Sequence, residues 1–252
     1  MIKIKNDFQI RQIRKSCKLV AESLDFIYPF VKPGVTTNEL NNKIRDFMIK
    51  NNAKSATLGY CGYPKETCIS INEVVCHGIP SERILTEGDI INIDVSLELN
   101  GFFGDASRMY AVGEISKEAK ELIEITEKSL YEGISAVSPG NTFNMIGYNI
   151  YKLLKDTKYS IVDKFVGHGC GIDFHEDPKI SHIVDENLKD FGQKMMPGMI
   201  FTIEPMINLG SSDCVILEDK WTAITIDKKL SAQYEHMVLC TENGYEILSK
   251  IN

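Results

Sequence analysis

The chain repeats itself once. Ser23-Leu24, Val31, Pro33-Gly34, Thr36 and Asn38 recur as Ser129-Leu130, Val137, Pro139-Gly140, Thr142 and Asn144, at a constant offset of 106 residues. Gly88, Ile90, Ile93 and Asp94 recur as Gly198, Ile200, Ile203 and Glu204, at an offset of 110. Two alignments in the same order and at nearly the same spacing mean that what the first half builds, the second builds again. The shared unit reads as a helix, a Pro-Gly turn, a second helix and, later, a strand ending in a carboxylate. The expected architecture is an α+β duplication: one domain over 1–252, with halves of roughly 7–115 and 116–250. Asp94 and Glu204 then face each other across a pseudo-twofold axis.

The elements follow from apolar spacing. Ile10, Ile13, Cys17, Val20, Leu24 and Ile27 recur at steps of three and four, so a helix over about 7–28 is expected, capped by Asp7 and stopped by Pro29. Thr36-Thr37-Asn38-Glu39 is a capping-box signature that opens a second helix, with Leu40, Ile44, Phe47 and Met48 inward. Strands are expected near 67–72, 90–99 and 107–112, helices near 116–136 and 142–156, and strands again from about 199 onward. No low-complexity stretch divides the chain.

Whole classes of function drop out. The longest apolar runs are a few residues, whereas a bilayer span needs about 20. Met1-Ile2-Lys3-Ile4-Lys5 has no apolar leader core. A net charge of −7 without a Lys/Arg cluster disfavours a phosphate backbone as ligand. The seven cysteines (17, 61, 68, 76, 170, 214 and 240) are odd in number and contain no C-x-x-C pair, which fits reduced thiols in the cytoplasm.

Chemistry enters with four carboxylates. Asp94 interrupts Ile90-Ile91-Asn92-Ile93 and Val95, and Asp105 follows the turn Gly101-Phe102-Phe103-Gly104. Glu204 ends Ile200-Phe201-Thr202-Ile203, and Glu235 precedes His236-Met237-Val238-Leu239. A single such residue is ordinarily a strand-end surface charge. Four in or beside apolar strands are costly unless a cation neutralises them, and no Lys or Arg in those strands does so. Divalent cations would, since they favour hard carboxylate oxygens. His168 lies in Gly167-His168-Gly169, His77 before Gly78, and His175 in Phe174-His175-Glu176.

Together these residues carry a resemblance. Asn72-Glu73-Val74-Val75-Cys76-His77-Gly78-Ile79-Pro80, Asn92-Ile93-Asp94-Val95, Gly104-Asp105, Gly167-His168-Gly169, Phe174-His175-Glu176, Phe201-Thr202-Ile203-Glu204-Pro205 and Ser231-Ala232-Gln233-Tyr234-Glu235-His236 stand in one order. From near Asp7 to near Leu248 the chain resembles the type I methionine aminopeptidases of bacterial type. The resemblance implies the duplicated pita-bread fold and two divalent cations (Co, Mn, Fe, Zn or Ni), held by Asp94, Asp105, His168, Glu204 and Glu235. It implies that Asp94 and Glu235 bridge the two ions and that Glu204 also takes a proton from the attacking water. His77 would assist the departing amine, and His175 would hydrogen-bond the scissile carbonyl. Tyr60, Tyr63, Cys68, Phe174 and Trp221 match the methionine pocket, with Cys61 beside it. Asn72, Val74 and Ser231 match a monovalent-cation site of some members. The implied reaction is removal of an N-terminal methionine that precedes a small residue (Ala, Gly, Ser, Thr, Pro, Val or Cys). The implied partners are nascent chains at the ribosome, met by a monomeric cytoplasmic enzyme with no need of nucleic acid or membrane.

The chain departs from that pattern at Cys61, where His is usual, at Ala106 for Thr, at Ile172 for Arg and at Met237 for Thr. No implied metal ligand is lost. A proline-selective aminopeptidase or dipeptidase on the same fold typically carries a further N-terminal domain, beyond this length. A catalytically silent binding protein would be marked by missing ligands, yet all five positions are filled.

Overall fold

In a computed structural model the described residues are 1–250. Four α-helices come in two consecutive pairs, α1 (Asp7–Ile27) with α2 (Thr37–Lys50) and α3 (Lys117–Ser135) with α4 (Asn144–Leu154), each pair followed by a run of strands. The duplication is visible in the backbone hydrogen bonds. Gly34 N donates to Leu85 O (2.9 Å), and Gly140 N to Met195 O (3.0 Å). Leu85 N donates back to Val35 O, and Met195 N to Asn141 O, both at 2.8 Å. Both Pro-Gly turns are thus pinned the same way, in front of α2 and of α4. The repeated glycines have φ of +90° and +87°, a region open to glycine and strained for other residues.

One antiparallel sheet joins the halves. Its path runs Lys54–Ser55, Ile90–Leu99, Phe102–Ala111, Glu235–Thr241, Ile200–Ile203, Gly167–Gly169 and Glu176–Ile180. Cys68–Ile71 also pairs with Ile90–Leu99, and Gly244–Ile247 with Glu235–Thr241. Side chains alternate across this sheet. Ile91, Ile93, Val95 and Leu97 pack against Val20, Leu24 and Ile27 of α1 and Leu40 and Ile44 of α2. In the other half Phe201, Ile203 and Val238 meet Leu130 and Ile134 of α3 and Ile146 and Ile150 of α4. Asn92, Asp94 and Ser96 occupy the alternate positions and face away from α1 and α2.

Two local expectations are corrected. Asn6, not Asp7, caps α1: its Oδ1 accepts from Gln9 N while Gln9 Oε1 accepts from Asn6 N, both at 3.0 Å. Asp7 is the first helical residue, where its charge still favours the helix N-terminus. The α-helix ends at Ile27, ahead of Pro29 as expected, and a 3₁₀ turn over Tyr28–Phe30 accommodates the proline near its start. The strand expected from 107 begins at Phe102. Asn100 (φ +55°) and Gly101 (φ +82°) form a two-residue hairpin turn, so Leu99 pairs directly with Phe102.

Candidate metal centre and active site

Strand register assembles the acidic cluster. Cys68 pairs with Asp94, Asp94 with Ser107, and Ser107 with Glu235, which sets one row across four strands. His236 pairs with Ile203, so one further step along that ladder brings Glu204 beside Glu235. Asp105 lies opposite Ser96, whose hydroxyl donates to Asp105 Oδ1 at 2.7 Å. The early start of this strand is therefore what orients Asp105.

His168 completes the cluster from the neighbouring strand. Its Nδ1 lies 3.0 Å from Gly169 O, a carbonyl that can only accept. The proton therefore sits on Nδ1, and the Nε2 lone pair is directed at Asp105 Oδ2 (3.7 Å) and Glu204 Oε1 (3.8 Å). Gly167 and Gly169 are required here, because a Cβ on either would lie 2.4 Å from Thr202 O or 2.2 Å from Asp177 O. Donor atoms of Asp105, His168 and Glu235 all lie within 4.8 Å of one another.

The electrostatics call for a cation. Burial, then the charges of Asp105 and Glu204, hold Asp94 well above the ordinary carboxylate range. Burial, with the neighbouring carboxylates behind it, does the same to Glu235. Asp105 is pushed up to about 7 and Glu204 to about 8, chiefly by burial, although hydrogen bonds from Ser96 and Thr202 pull the other way. Asp94 Oδ1 is enclosed and has no hydrogen-bond partner. Among the described residues no Lys or Arg lies within 4.0 Å of any of the four carboxylates. An orphaned carboxylate oxygen, three further acids and a free imidazole nitrogen fit a divalent metal.

A cavity of about 560 Å³ opens onto the cluster. All five acid and imidazole groups line it, as do His77, His175, Tyr60, Tyr63, Cys68, Phe174 and Trp221. Tyr63 and Trp221 meet edge to face at 5.1 Å, and Tyr63 is locked by its hydroxyl, 2.9 Å from Gly78 O. Tyr60 stacks on His175 at 4.9 Å, and His175 lies 4.0 Å from His168. His77 takes a left-handed backbone (φ +56°), unusual for a side-chain-bearing residue, and its ring lies 6.0 Å from Trp221. Burial lowers both His77 and His168 to about 4 and His175 to about 3, so all three rings are neutral at pH 7.

Cys61 and the three residues expected at a monovalent cation lie outside the cavity lining. Cys61 is exposed on the turn Tyr60–Gly62 and is absent from the cavity lining. Asn72 and Ser231 meet away from the cavity: Ser231 N donates to Asn72 O at 2.8 Å, and the buried Ser231 Oγ has no partner. Val74 lies nearby, opposite Ile224. His182 is a residue that sequence reasoning missed. It is fully buried and its Nε2 accepts from Glu204 N at 3.1 Å, fixing the peptide that carries this carboxylate. Met237, one of the departures, accepts from Asp105 N through its sulfur at 3.1 Å.

Known proteins match this arrangement along its whole length. The chain is 45% identical to the methionine aminopeptidase of Escherichia coli (strain K12) over 250 residues, covering 98% of this chain and 94% of that one. The crystal structure of methionine aminopeptidase from Rickettsia prowazekii superimposes with a TM-score of 0.97 at 45% identity, covering 99% of this chain and 100% of that chain. Prolidase from Pyrococcus furiosus shares the fold at 24% identity, with a TM-score of 0.79 over 99% of this chain and 66% of its own. These likenesses bear out the duplicated pita-bread α+β fold. The sequence profile of metallopeptidase family M24 matches residues 11–242, and the chain belongs to that family.

Proposed function

We propose that this chain hydrolyses the peptide bond after an N-terminal methionine when the next residue is small. The observation that carries the reading is the convergence of buried acids from both halves, with His168, on a cavity walled by aromatic rings and a thiol. Thioethers pack well against such walls, which suits Tyr60, Tyr63, Cys68, Phe174 and Trp221 to a methionine side chain.

Asp94, Asp105, His168, Glu204 and Glu235 would hold two divalent cations, drawn from Co, Mn, Fe, Zn or Ni. Such ions lower the pKa of water and polarise a carbonyl. Glu204 accepts the proton of the attacking water, consistent with a carboxylate whose proton affinity burial has raised. Neutral His175 donates a hydrogen bond to the scissile carbonyl oxygen as charge develops there. Neutral His77 assists the amine that departs. Asn72, Val74 and Ser231 hold a monovalent cation, to which the unpartnered Ser231 Oγ would contribute. The enzyme works as a cytoplasmic monomer on nascent chains at the ribosome, without nucleic acid or membrane. Among the described residues no helix is long and apolar enough to cross a membrane.

Release of methionine from Met-Ala-Ser, measured with and without a chelator, tests the reading. Met-Ala, Met-Gly and Met-Ser peptides are cleaved and Met-Lys or Met-Phe scarcely, and the chelator abolishes turnover. Chelator-resistant hydrolysis, or equal rates on Met-Phe and Met-Ala, would refute it.

A further inference from the structure

His175 depends on its backbone for position. Its ring stacks on Tyr60 and lies tilted against His168, but among the described residues it makes no hydrogen bond to protein. The loop that carries it is held by the next residue. Glu176 Oε1 accepts from the amides of Ile172 and Asp173, both at 2.8 Å. Glu176 Oε2 receives Lys5 Nζ at 2.9 Å, in an ion pair whose side chains are 0% and 2% exposed. Lys3 adds a second tie to the same loop, at Asp173. The segment bearing both lysines is itself seated, since Lys5 N donates to Gly198 O at 2.9 Å. A Cβ on Gly198 would lie 2.9 Å from both Ile4 and Lys5, so the contact is close along its length.

We infer that residues 3–5 form a strap in which Lys5, through Glu176, is a positioning residue for His175. A buried pair of charges is an expensive way to join two surface segments, because each ion is uncompensated without the other. Its location explains that expense. One carboxylate closes the 171–176 loop on one oxygen and accepts the strap on the other, so lysine and loop amides are coupled through a single group. This inference rests on the reading of His175 as a substrate contact, which His175→Ala measures by itself.

The test is a double-mutant cycle on the metal-loaded enzyme, with release of methionine from Met-Ala-Ser as the assay. Lys5→Met and Lys5→Gln are each made alone and with His175→Ala; the Gln variant can still hydrogen-bond Glu176. Alone, Lys5→Met lowers kcat by roughly 10- to 100-fold, as expected for a misplaced contact group. KM and metal stoichiometry change less than about twofold, and Lys5→Gln falls between it and wild type. In the His175→Ala background the further loss is under about twofold. Amide exchange quickens at 172 and 173 while the central sheet stays protected. Full additivity with His175→Ala, or unchanged kcat in a folded Lys5→Met protein, overturns the inference. So does failure of both Lys5 variants to fold, which would make the pair a support of the whole structure. If His175→Ala alone leaves kcat unchanged, the substrate-contact reading fails instead.

Discussion

Asp94 and Glu235 stand on either side of Ser107 in one cross-strand row, each registered on it from a neighbouring strand. The serine spaces half-buried Asp94 from buried Glu235, which among the described residues no lysine or arginine neutralises, and both are held well above the ordinary carboxylate range. Replacing Asp94 by Asn should abolish high-affinity metal binding and turnover together. The metal-free protein should be no less stable, because one member of a repelling set has been made neutral. Calorimetric metal titration and thermal melts of the stripped protein check this; wild-type metal affinity in the mutant would remove Asp94 from the ligand set.

Burial of the same cluster sets a pH dependence. Asp105 and Glu204 carry raised values of about 7 and about 8, against ordinary ones of 3.8 and 4.5. In the metal-free protein the unfolded chain therefore loses these protons first as pH rises. Stability present below about pH 4 is lost as pH climbs through 7 to 8. Metal must displace the same protons, so its affinity strengthens over that rise. Chelator-stripped protein should show a falling Tm from pH 5 to 8, and saturating Mn²⁺ should flatten or reverse the trend. A flat metal-free profile would contradict the argument.

Two histidines should separate cleanly. His168 turns its Nε2 lone pair toward Asp105 and Glu204, whereas His77 stands among Phe165 and Trp221. His168→Ala should weaken metal binding itself. His77→Ala should keep metal stoichiometry and lower kcat by roughly 10²- to 10⁴-fold, the range for a positioned acid or base. Equal metal loss in the two mutants would erase the distinction.

Thiol chemistry should follow exposure. Cys61 is exposed, while Cys68 is buried with its thiol pushed well above the ordinary range by desolvation and the Asp94 charge. Alkylating reagents should label Cys61 first and leave Cys68 unmodified in the folded enzyme. Any slowing of turnover would arise through Tyr60, which stacks on His175, and Cys61→His should abolish it while keeping methionine preference. Peptide mapping after alkylation decides this, and early modification of Cys68 would refute it.

The repeat is legible because Pro-Gly turns and glycines at positive φ tolerate few substitutes, so both copies retain them. Asp94, Glu204 and Glu235 are legible because each stands in or at the end of an apolar run. Asp105's place in a strand is not, since Gly104-Asp105-Ala106-Ser107 has poor strand propensity. The usable signal was Asn100-Gly101, a hairpin turn that carries the ladder straight on to Phe102. His182 gave no signal at all. Its task depends on where the backbone of Glu204 arrives from 22 residues away, and a lone histidine cannot announce that.

The strand Glu235–Thr241 lies between Phe102–Ala111 of the first half and Ile200–Ile203 of the second. It follows both of those strands in sequence, and it is the seam between the two halves. Until it inserts, Asp94 and Asp105 belong to one sheet fragment, and His168 and Glu204 to another. The centre is therefore completed by a contact of long sequence separation, the kind that forms slowly. Without this one strand the acids and His168 would be a pair of half-sites, and the seam is what makes them one.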